Sequence, residues 1–428
     1  MSTPTSRAAL LALAALSSAD EWPQWRGPGR DGVWKEDGLL EAFPEKGLGA
    51  RWRAPIGPGY SGPTVAGGRV YLMDRRREPE DGERVLCLDR ETGKVLWTHA
   101  YPCSYAGIGY DAGPRCAVLV QHGMAFSLGA SGMLFCLDAE TGEELWSHDI
   151  DAEYGIDMPV WGIAAAPVIE GDLLIVPASA EDAYLIAFDV ATGAERWKAF
   201  DDGGNYSAPI VIDQAGERVL VCWSAGRVLG VDPATGKLHW EVPFEPKNVP
   251  LGIATPVLYE DKLFFTAFYD GSLMLRVDHE EPKVEELWRR VGQNEVRTDA
   301  LQSIIATPLI RGGHIYGVDS HGELRCLEVE SGERVWEDLS AVPKARWANV
   351  HMVQNGERTW MFNEKGELIL GELSPKGFRE LARTKILEPT REQLNERGGV
   401  CWSHPAYAYR HVFVRNDEEV VCYDLSAK

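Results

Sequence analysis

The chain has 428 residues, 45% of them hydrophobic, with 44 Gly and 25 Pro. This composition excludes a small single-core domain, a fibrous repeat and a low-complexity polymer. Lys and Arg number 43 against 65 Asp and Glu, so the net charge is −22. Such an acidic chain repels phosphate backbones and anionic lipid head groups, so we expect neither nucleic-acid binding nor membrane attachment through basic patches.

The first nineteen residues predict a secretory signal peptide (residues 1–19). Arg7 precedes an apolar run at residues 8–16, and small residues precede a cut before Asp20. The alternative is an N-terminal membrane anchor, but the run has about half of the roughly 20 residues that span a bilayer. We therefore expect an exported chain, located in the periplasm or cell envelope, whose mature part has no transmembrane segment. No cysteine stands at the cut to carry a lipid.

Residues 20–47 are interpreted as an N-terminal extension. Within it, residues 22–34 are rich in Trp, Gly and Arg. Two roles for this stretch stay open: it caps a channel, or it waits for a partner.

A motif that ends in tryptophan recurs from residue 89 onward. Its first copy has Asp89, Thr92, Gly93 and Trp97, and later copies follow at intervals of about 48 residues, although the copy before Trp288 lacks Thr-Gly. The Asp carboxylate can accept local N–H groups and the Gly supplies a positive φ, so the motif predicts a tight hairpin. The Trp that follows is long enough to wedge between neighbouring sheets.

Alternating or apolar runs of four to six residues precede each motif, bounded by Gly, Asp and Pro, and indicate β-strands. Eight four-stranded units can be counted. The seventh is degenerate, with Leu381 where Trp is expected, and the eighth ends near Asp424 without its fourth strand. The segment around Trp52 supplies that strand from the other end of the chain and closes a ring. Residues 391–397 are the only predicted helical turn outside the signal.

The predicted fold class is therefore all-β: an eight-bladed β-propeller of four-stranded antiparallel blades, closed by an N-terminal strand that completes the last blade, over residues 48–428. Seven tryptophans are assigned a structural role between blades: Trp52, Trp97, Trp146, Trp197, Trp240, Trp288 and Trp336.

The eight cysteines do not form an evident disulfide framework, since this chain is too long to need one. Cys87, Cys136, Cys326 and Cys422 share one repeat position and are interpreted as buried hydrophobic side chains. Cys103 and Cys116 are the one pair to be tested for a bridge. Neither C-x-x-C nor a His/Cys cluster with metal spacing occurs, so no metal site is predicted.

The repeated Asp-x-x-Thr-Gly-x-x-x-Trp motif resembles the tryptophan-docking repeat of the PQQ-like eight-bladed β-propellers, over about residues 48–428. The group includes quinoprotein dehydrogenases and non-catalytic propellers such as the outer-membrane protein assembly factor BamB. The chain is more similar still to exported bacterial PQQ-binding-like β-propeller repeat proteins. That resemblance includes residues 22–28, residues 113–115 and the pair Trp161-Gly162.

The resemblance also implies what a quinoprotein dehydrogenase would carry. Such enzymes have a vicinal Cys-Cys pair against PQQ and a calcium ion held by Glu, Asn and Asp beside a catalytic Asp. No two cysteines are adjacent in this sequence. PQQ with calcium is therefore kept only as the alternative cofactor, and no catalytic residue is assigned.

The loops that precede the first strands of the blades would form the channel mouth, where propellers usually bind ligands. Aromatic and hydrogen-bonding side chains at these positions suit a flat ligand or a peptide. Equally, a purely structural ring needs polar groups there to hold water. The predicted ligand-binding residues are Tyr60, Arg115, Trp161, Tyr206, Gln302, Trp347, Trp402 and His404.

Acid–base candidates in the loops between blades are Asp111, Asp157, Glu295 and Asp299, with Arg115 and Arg297 as cationic neighbours. A carboxylate near an Arg is more often a solvated ion pair than a catalytic pair.

The leading hypothesis is an exported, non-catalytic, monomeric propeller scaffold that binds exported or cell-envelope proteins. The alternative is a PQQ- or metal-dependent oxidoreductase with an atypical site at the channel mouth. A weaker third option is recognition of an extracellular polymer through the mouth aromatics.

Overall fold

The computed structural model describes residues 21–427, so the predicted signal peptide lies outside the described residues. The first sixteen strands in chain order are β1 (Ala50–Pro55), β2 (Thr64–Ala66), β3 (Arg69–Arg76), β4 (Gly82–Asp89), β5 (Val95–Pro102), β6 (Leu119–Gln121), β7 (Met124–Leu128), β8 (Met133–Asp138), β9 (Glu144–Asp149), β10 (Val168–Glu170), β11 (Leu173–Ala180), β12 (Ala183–Asp189), β13 (Glu195–Ala199), β14 (Ile210–Gln214), β15 (Glu217–Trp223) and β16 (Arg227–Val231). The remaining strands are β17 (Leu238–Pro243), β18 (Val257–Tyr259), β19 (Lys262–Ala267), β20 (Gly271–Val277), β21 (Val284–Arg290), β22 (Leu309–Arg311), β23 (His314–Val318), β24 (Leu324–Glu328), β25 (Arg334–Asp338), β26 (Val350–Asn355), β27 (Arg358–Asn363), β28 (Glu367–Ser374), β29 (Gly377–Lys385), β30 (Ala406–Ala408), β31 (His411–Arg415) and β32 (Glu419–Asp424).

These strands form eight four-stranded antiparallel sheets, which confirms the predicted all-β, eight-bladed propeller. Seven blades use four consecutive strands, starting with β2–β5. The eighth blade has the order β1-β32-β31-β30, with Ala54 opposite Val420. The N-terminal strand therefore completes the last blade and closes the ring, as predicted.

The first strand of each blade lies next to the channel, and these short strands touch their counterparts in neighbouring blades, as β2 touches β30 and β6. The second and third strands are almost completely buried, whereas the fourth is largely exposed. Each fourth strand is therefore the outer edge of its blade.

The hairpin between the third and fourth strands forms as the motif chemistry requires. In the first blade, the Asp89 carboxylate accepts hydrogen bonds from Thr92 N at 2.8 Å and Thr92 Oγ1 at 2.6 Å. Gly93 has φ +69°, and a Cβ there would lie 2.5 Å from the Trp52 ring of the eighth blade. The glycine is needed both for its backbone angle and for the space that the indole occupies.

Six of the seven repeat tryptophans donate their indole N–H to a backbone carbonyl in the hairpin of the next blade. These pairs are Trp52–Arg90, Trp97–Ala139, Trp146–Val190, Trp197–Pro233, Trp288–Val329 and Trp336–Ser374. Each bond links the outermost strand of one blade to the following blade.

Trp240 is the exception, because the blade after it has the copy without Thr-Gly. Its indole donates instead to Gln214 Oε1 in its own blade at 3.0 Å. Gln214 Nε2 in turn donates to Lys283 O in the hairpin of the next blade at 2.6 Å. The Gln214 side chain thus connects Trp240 to the next blade, where the degenerate motif provides no direct acceptor for the indole.

The only helix within residues 21–427 is α1 (Ile150–Tyr154), capped by the Asp149 side chain. The prediction of a helical turn at residues 391–397 is wrong, since that stretch forms bends and turns; its backbone donors at Glu392 and Gln393 bond to Asp417 Oδ2 instead of forming a helical ladder. No helix of the described part is long and apolar enough to cross a membrane.

All eight cysteines lie in the described part of the chain, and each is a buried free thiol. Cys103 and Cys116 form no disulfide in this structure; Cys103 Sγ lies 3.2 Å from Ser131 Oγ instead. Burial raises the pKa of the Cys103 thiol to about 12, which keeps it protonated and unreactive at neutral pH.

Candidate functional site

The loops that precede the first strands enclose one cavity of about 280 Å³ in the channel. Seven of the eight predicted ligand-binding residues line it: Tyr60, Arg115, Trp161, Tyr206, Trp347, Trp402 and His404. They come from six different loops, since Trp402 and His404 share the loop before β30. They meet because each loop runs to the channel before the first strand of its blade begins.

Gln302 is the predicted residue that does not line the cavity. Its side chain is fully buried, and its Nε2 donates to Phe268 O at 2.6 Å. Its backbone N–H donates to Asp319 Oδ1 at 2.6 Å. Placing Gln302 in the site is therefore a correction: its amide holds neighbouring loops together, and Ile304 and Ile305 reach the cavity from the same loop.

Tyr110 is a lining residue that the sequence analysis missed. Its ring centroid lies 6.2 Å from that of Trp161 and 6.3 Å from those of Trp347 and Trp402. The residue has φ +53° and is 38% exposed. The left-handed backbone angle, rarely adopted by a residue with a large side chain, holds this tyrosine among three indoles at the mouth.

Arg115 fixes the loop that carries Tyr110. Its Nη2 donates to Gly109 O at 2.8 Å and to Tyr110 O at 2.6 Å, and its Nη1 donates to Gly113 O. The guanidinium also lies 5.1 Å from the Tyr60 ring centroid. Within residues 21–427 no carboxylate forms an ion pair with Arg115; its contacts are carbonyl oxygens and the rings of Tyr60 and Tyr105, the latter at 5.8 Å.

The floor of the cavity comes from the N-terminal extension. Trp25 donates its indole N–H to Thr255 Oγ1 at 2.7 Å and meets the His404 ring edge-on at 4.6 Å. Nearby, Arg30 donates to Pro167 O at 2.8 Å, and Trp22 and Val65 exchange backbone hydrogen bonds. Residues 22–34 thus pack against the first strands of several blades at the channel.

Two buried histidines stand beside Trp25. His351 Nε2 lies 2.8 Å from Trp402 O; since a carbonyl only accepts, this nitrogen carries the hydrogen. Burial lowers the pKa of His351 to about 4 and that of His404 to about 3, so both imidazoles are neutral at pH 7. His404 Nε2 is buried and has no hydrogen-bond partner in the described part of the chain.

None of the four acid–base candidates lines the cavity. Asp111 pairs with Arg75 at 2.9 Å, and Asp299 lies 3.5 Å from Arg290. Asp157 is exposed. The structure therefore places these three carboxylates at the surface.

Glu295 has a supporting position at the rim. Its carboxylate accepts hydrogen bonds from two of the three guanidinium nitrogens of Arg346, from Nε at 2.6 Å and from Nη2 at 3.0 Å. The Arg346 guanidinium lies 4.6 Å from the centroid of Trp347, one of the cavity indoles. Glu295 therefore holds Arg346 in place, and Arg346 in turn packs against Trp347. Arg297 belongs to a separate depression at this end of the molecule and does not reach the cavity.

The lining does not fit PQQ with calcium. Residues 21–427 contain no group of three or more His, Cys, Asp or Glu residues that could hold a metal ion. PQQ is a tricarboxylate, whereas the cavity offers a single ionised cation, Arg115, three of whose N–H bonds are already made to carbonyls. Two carboxylates would be left unpaired in an apolar cavity, which is unfavourable.

Comparisons with known proteins support the fold and identify a family. A family model described as outer membrane protein assembly factor BamB matches residues 81–296 and 280–428. The assembly factor BamB of Shewanella oneidensis is 27% identical over 158 residues. That match takes in 36% of this chain and 39% of the relative, so the chain spans well under half the length of the curated relative.

Solved structures show the same architecture. BamB from Moraxella catarrhalis has a TM-score of 0.59 at 15% identity, covering 87% of this chain and 98% of that chain. A europium-containing methanol dehydrogenase has a TM-score of 0.67 at 13% identity, covering 94% of this chain and 89% of that chain. At such identities the likeness concerns the fold alone, and the fold is shared by a scaffold and an enzyme.

Proposed function

Because the chain belongs to the BamB family of outer membrane protein assembly factors, we propose that it is a non-catalytic propeller scaffold that binds other proteins of the cell envelope. The single observation that carries this proposal is the family match, which runs from residue 81 to residue 428. The proposal includes export to the periplasm, supported by the signal-like residues 1–19, and a monomeric state.

The outer strands of the blades support a binding role. Val95, Leu145 and Val335 lie on fourth strands and are 49%, 49% and 42% exposed. An outer strand also has one edge of backbone N–H and C=O groups without a neighbouring strand. A partner protein can use both the apolar side chains and the free edge.

Disruption of the coding gene in its own host tests the scaffold. We expect less folded β-barrel protein in the outer membrane, measured on isolated membranes. The full-length chain should restore the level, whereas a chain that lacks residues 1–19 should not, because it stays in the cytoplasm. An unchanged level of folded β-barrel protein after disruption would contradict the proposal.

A quinone-dependent oxidoreductase is the second candidate, favoured by the shared fold with methanol dehydrogenase. The cavity chemistry opposes it, since the lining residues contain no carboxylate and no metal-binding cluster. Calorimetric titration with PQQ, with and without calcium, separates the two candidates. We expect no saturable binding; saturable binding together with reduction of an electron-accepting dye would establish the enzyme instead.

A further inference from the structure

We propose that the channel cavity is a binding site for a flat aromatic molecule of one or two rings that carries a single carboxylate. This goes beyond the scaffold role and does not depend on it. The proposal rests on the shape of the cavity, the charge of its lining and the polar atoms in the lining that have no hydrogen-bond partner.

The shape favours a flat ring system. Indole and phenol rings form one part of the wall, including Trp161, Trp347 and Trp402. Alanines at positions such as Ala117 and Ala164, where larger side chains would fill the space, keep the cavity open. A volume of about 280 Å³ lies just below the usual range for drug-sized ligands, which begins at about 300 Å³, and suits one or two fused rings.

The charge of the lining favours a single negative group. No Asp or Glu lines the cavity, and both lining histidines are neutral, so Arg115 is the one ionised side chain on its wall among residues 21–427. Three of the five guanidinium N–H groups donate to backbone carbonyls, and two have no carbonyl partner. A carboxylate forms a charge-assisted hydrogen bond with an Arg and carries one negative charge, which matches the single cation here.

The remaining polar groups argue against a carbohydrate. Tyr60 donates its hydroxyl to Gln393 O at 3.0 Å, and Tyr206 Oη accepts from Trp161 N at 3.3 Å. The hydroxyl groups of a sugar would find few partners here and would lose their hydration. His404 Nε2 is the buried atom with a bond still to make, and with Nδ1 turned to Pro405 O at 3.4 Å it can accept an N–H or O–H from the ligand.

Three matched probes test the proposal on the full mature chain by isothermal titration calorimetry. They are 2-naphthoate, its neutral amide 2-naphthamide, and the cation 2-naphthylmethylammonium. We expect the acid to bind roughly tenfold more tightly than the amide, as for a charge-assisted hydrogen bond, and the cation to bind more weakly than either. Tightest binding of the cation, or no saturable binding of the acid up to about 1 mM, would overturn the proposal.

Two variants locate the binding. In Arg115→Gln the preference for the acid over the amide should vanish, and in Trp161→Leu all three probes should bind more weakly. Arg276→Gln, which removes an exposed cation from an outer part of the fifth blade, should leave the affinities unchanged. Equal preference for the acid in Arg115→Gln and the unmodified chain would show that the guanidinium does not bind it.

The same titrations distinguish binding of the carboxylate by Arg115 from a purely structural role of this side chain. If the substitution only loosened the loop at residues 109–113, all three probes would lose affinity by the same factor, and the assignment of the carboxylate to Arg115 would fail. Thermal unfolding of each variant reports whether the fold persists. These outcomes leave the scaffold proposal untouched, because its test measures outer-membrane proteins and not this cavity.

Discussion

His351 and His404 lie side by side in the channel wall, with ring centroids 6.4 Å apart. Burial lowers both pKa values, and for His404 the neighbouring His351 lowers it further. In the unfolded chain a histidine titrates near pH 6.5. Between that pH and about pH 4 for His351, or about pH 3 for His404, the unfolded chain therefore binds a proton that the folded chain does not. The stability of the fold is full above pH 6.5 and falls as the pH is lowered through this window.

Replacement of His351 by Gln should make unfolding less sensitive to acid, because the amide keeps a donor for Trp402 O but does not titrate. The free energy of unfolding of the unmodified chain should fall more steeply, by up to about 1.4 kcal/mol per pH unit relative to the variant between pH 6 and pH 4.5. Urea unfolding at several pH values measures the difference. His279→Gln serves as the control for an exposed histidine; identical pH slopes in His351→Gln and the unmodified chain would refute the assignment.

Hairpins that receive an indole from the preceding blade are the repeated element of this fold. Gly142 has φ +75°, and a Cβ there would lie 2.6 Å from the Trp97 ring. Gly171, in the first hairpin of the third blade, has φ +61° but open space around the same position. The two glycines therefore share the backbone requirement and differ in the contact between blades.

Substitution by alanine separates these two requirements. Gly171→Ala should cost about 1 kcal/mol, for the left-handed backbone alone. Gly142→Ala should cost about 3 kcal/mol, because the methyl group must also displace the indole. Urea denaturation of both variants provides the comparison. Equal losses of stability would mean that the indole contact does not constrain the hairpin.

At the scale of the whole molecule, two parts of the N-terminal region hold the ring together in different ways. β1 completes the eighth blade and brings Trp52 to the first blade. Residues 22–34 pack against first strands, and Trp22 and Trp34 are each only 2% exposed within the largest apolar cluster around the first, seventh and eighth blades. β1 therefore closes the ring of blades, and residues 22–34 pack at the central channel.

Two truncated chains test the separate roles of β1 and residues 22–34. A chain that begins at residue 37 should keep the closed ring and the association state of the full chain, but lose at least about 3 kcal/mol of stability with its buried tryptophans. A chain that begins at residue 56 also lacks β1, so the edge of β32 is open and we expect association into oligomers or aggregates. Light scattering after size-exclusion chromatography measures both. If the shorter chain were monomeric and as stable as the longer one, β1 would not be the closing strand.

The blades could be predicted from the sequence because the motif chemistry is local: Asp89, Thr92 and Gly93 specify their own hairpin. The mouth positions followed from the same periodicity, since every first strand is preceded by a loop that ends at the channel. Tyr110 and Trp25 could not be found in this way. The first owes its position to a left-handed backbone angle inside an irregular loop, and the second lies before the repeats begin.

Gln302 is the opposite case: the sequence predicted it to line the cavity, and it does not. Its position in the chain is equivalent to residues that line the cavity, but the direction of a loop side chain is set by the partners available to it. A buried amide needs hydrogen bonds, and Phe268 O supplies one away from the cavity. Periodicity therefore identifies the loop, while only the three-dimensional contacts decide which side chain faces the cavity.

The pairing of the first strand with the last has a consequence for biosynthesis. Arg53 and Tyr423, bonded across β1 and β32, are 370 residues apart in the chain. At ribosomal rates of about 5–20 residues per second, roughly 20–70 s pass between the synthesis of one and that of the other. During that delay β1 and Trp52 have no partner strand, so the nascent chain needs either a chaperone or a delay in folding until its last blade emerges.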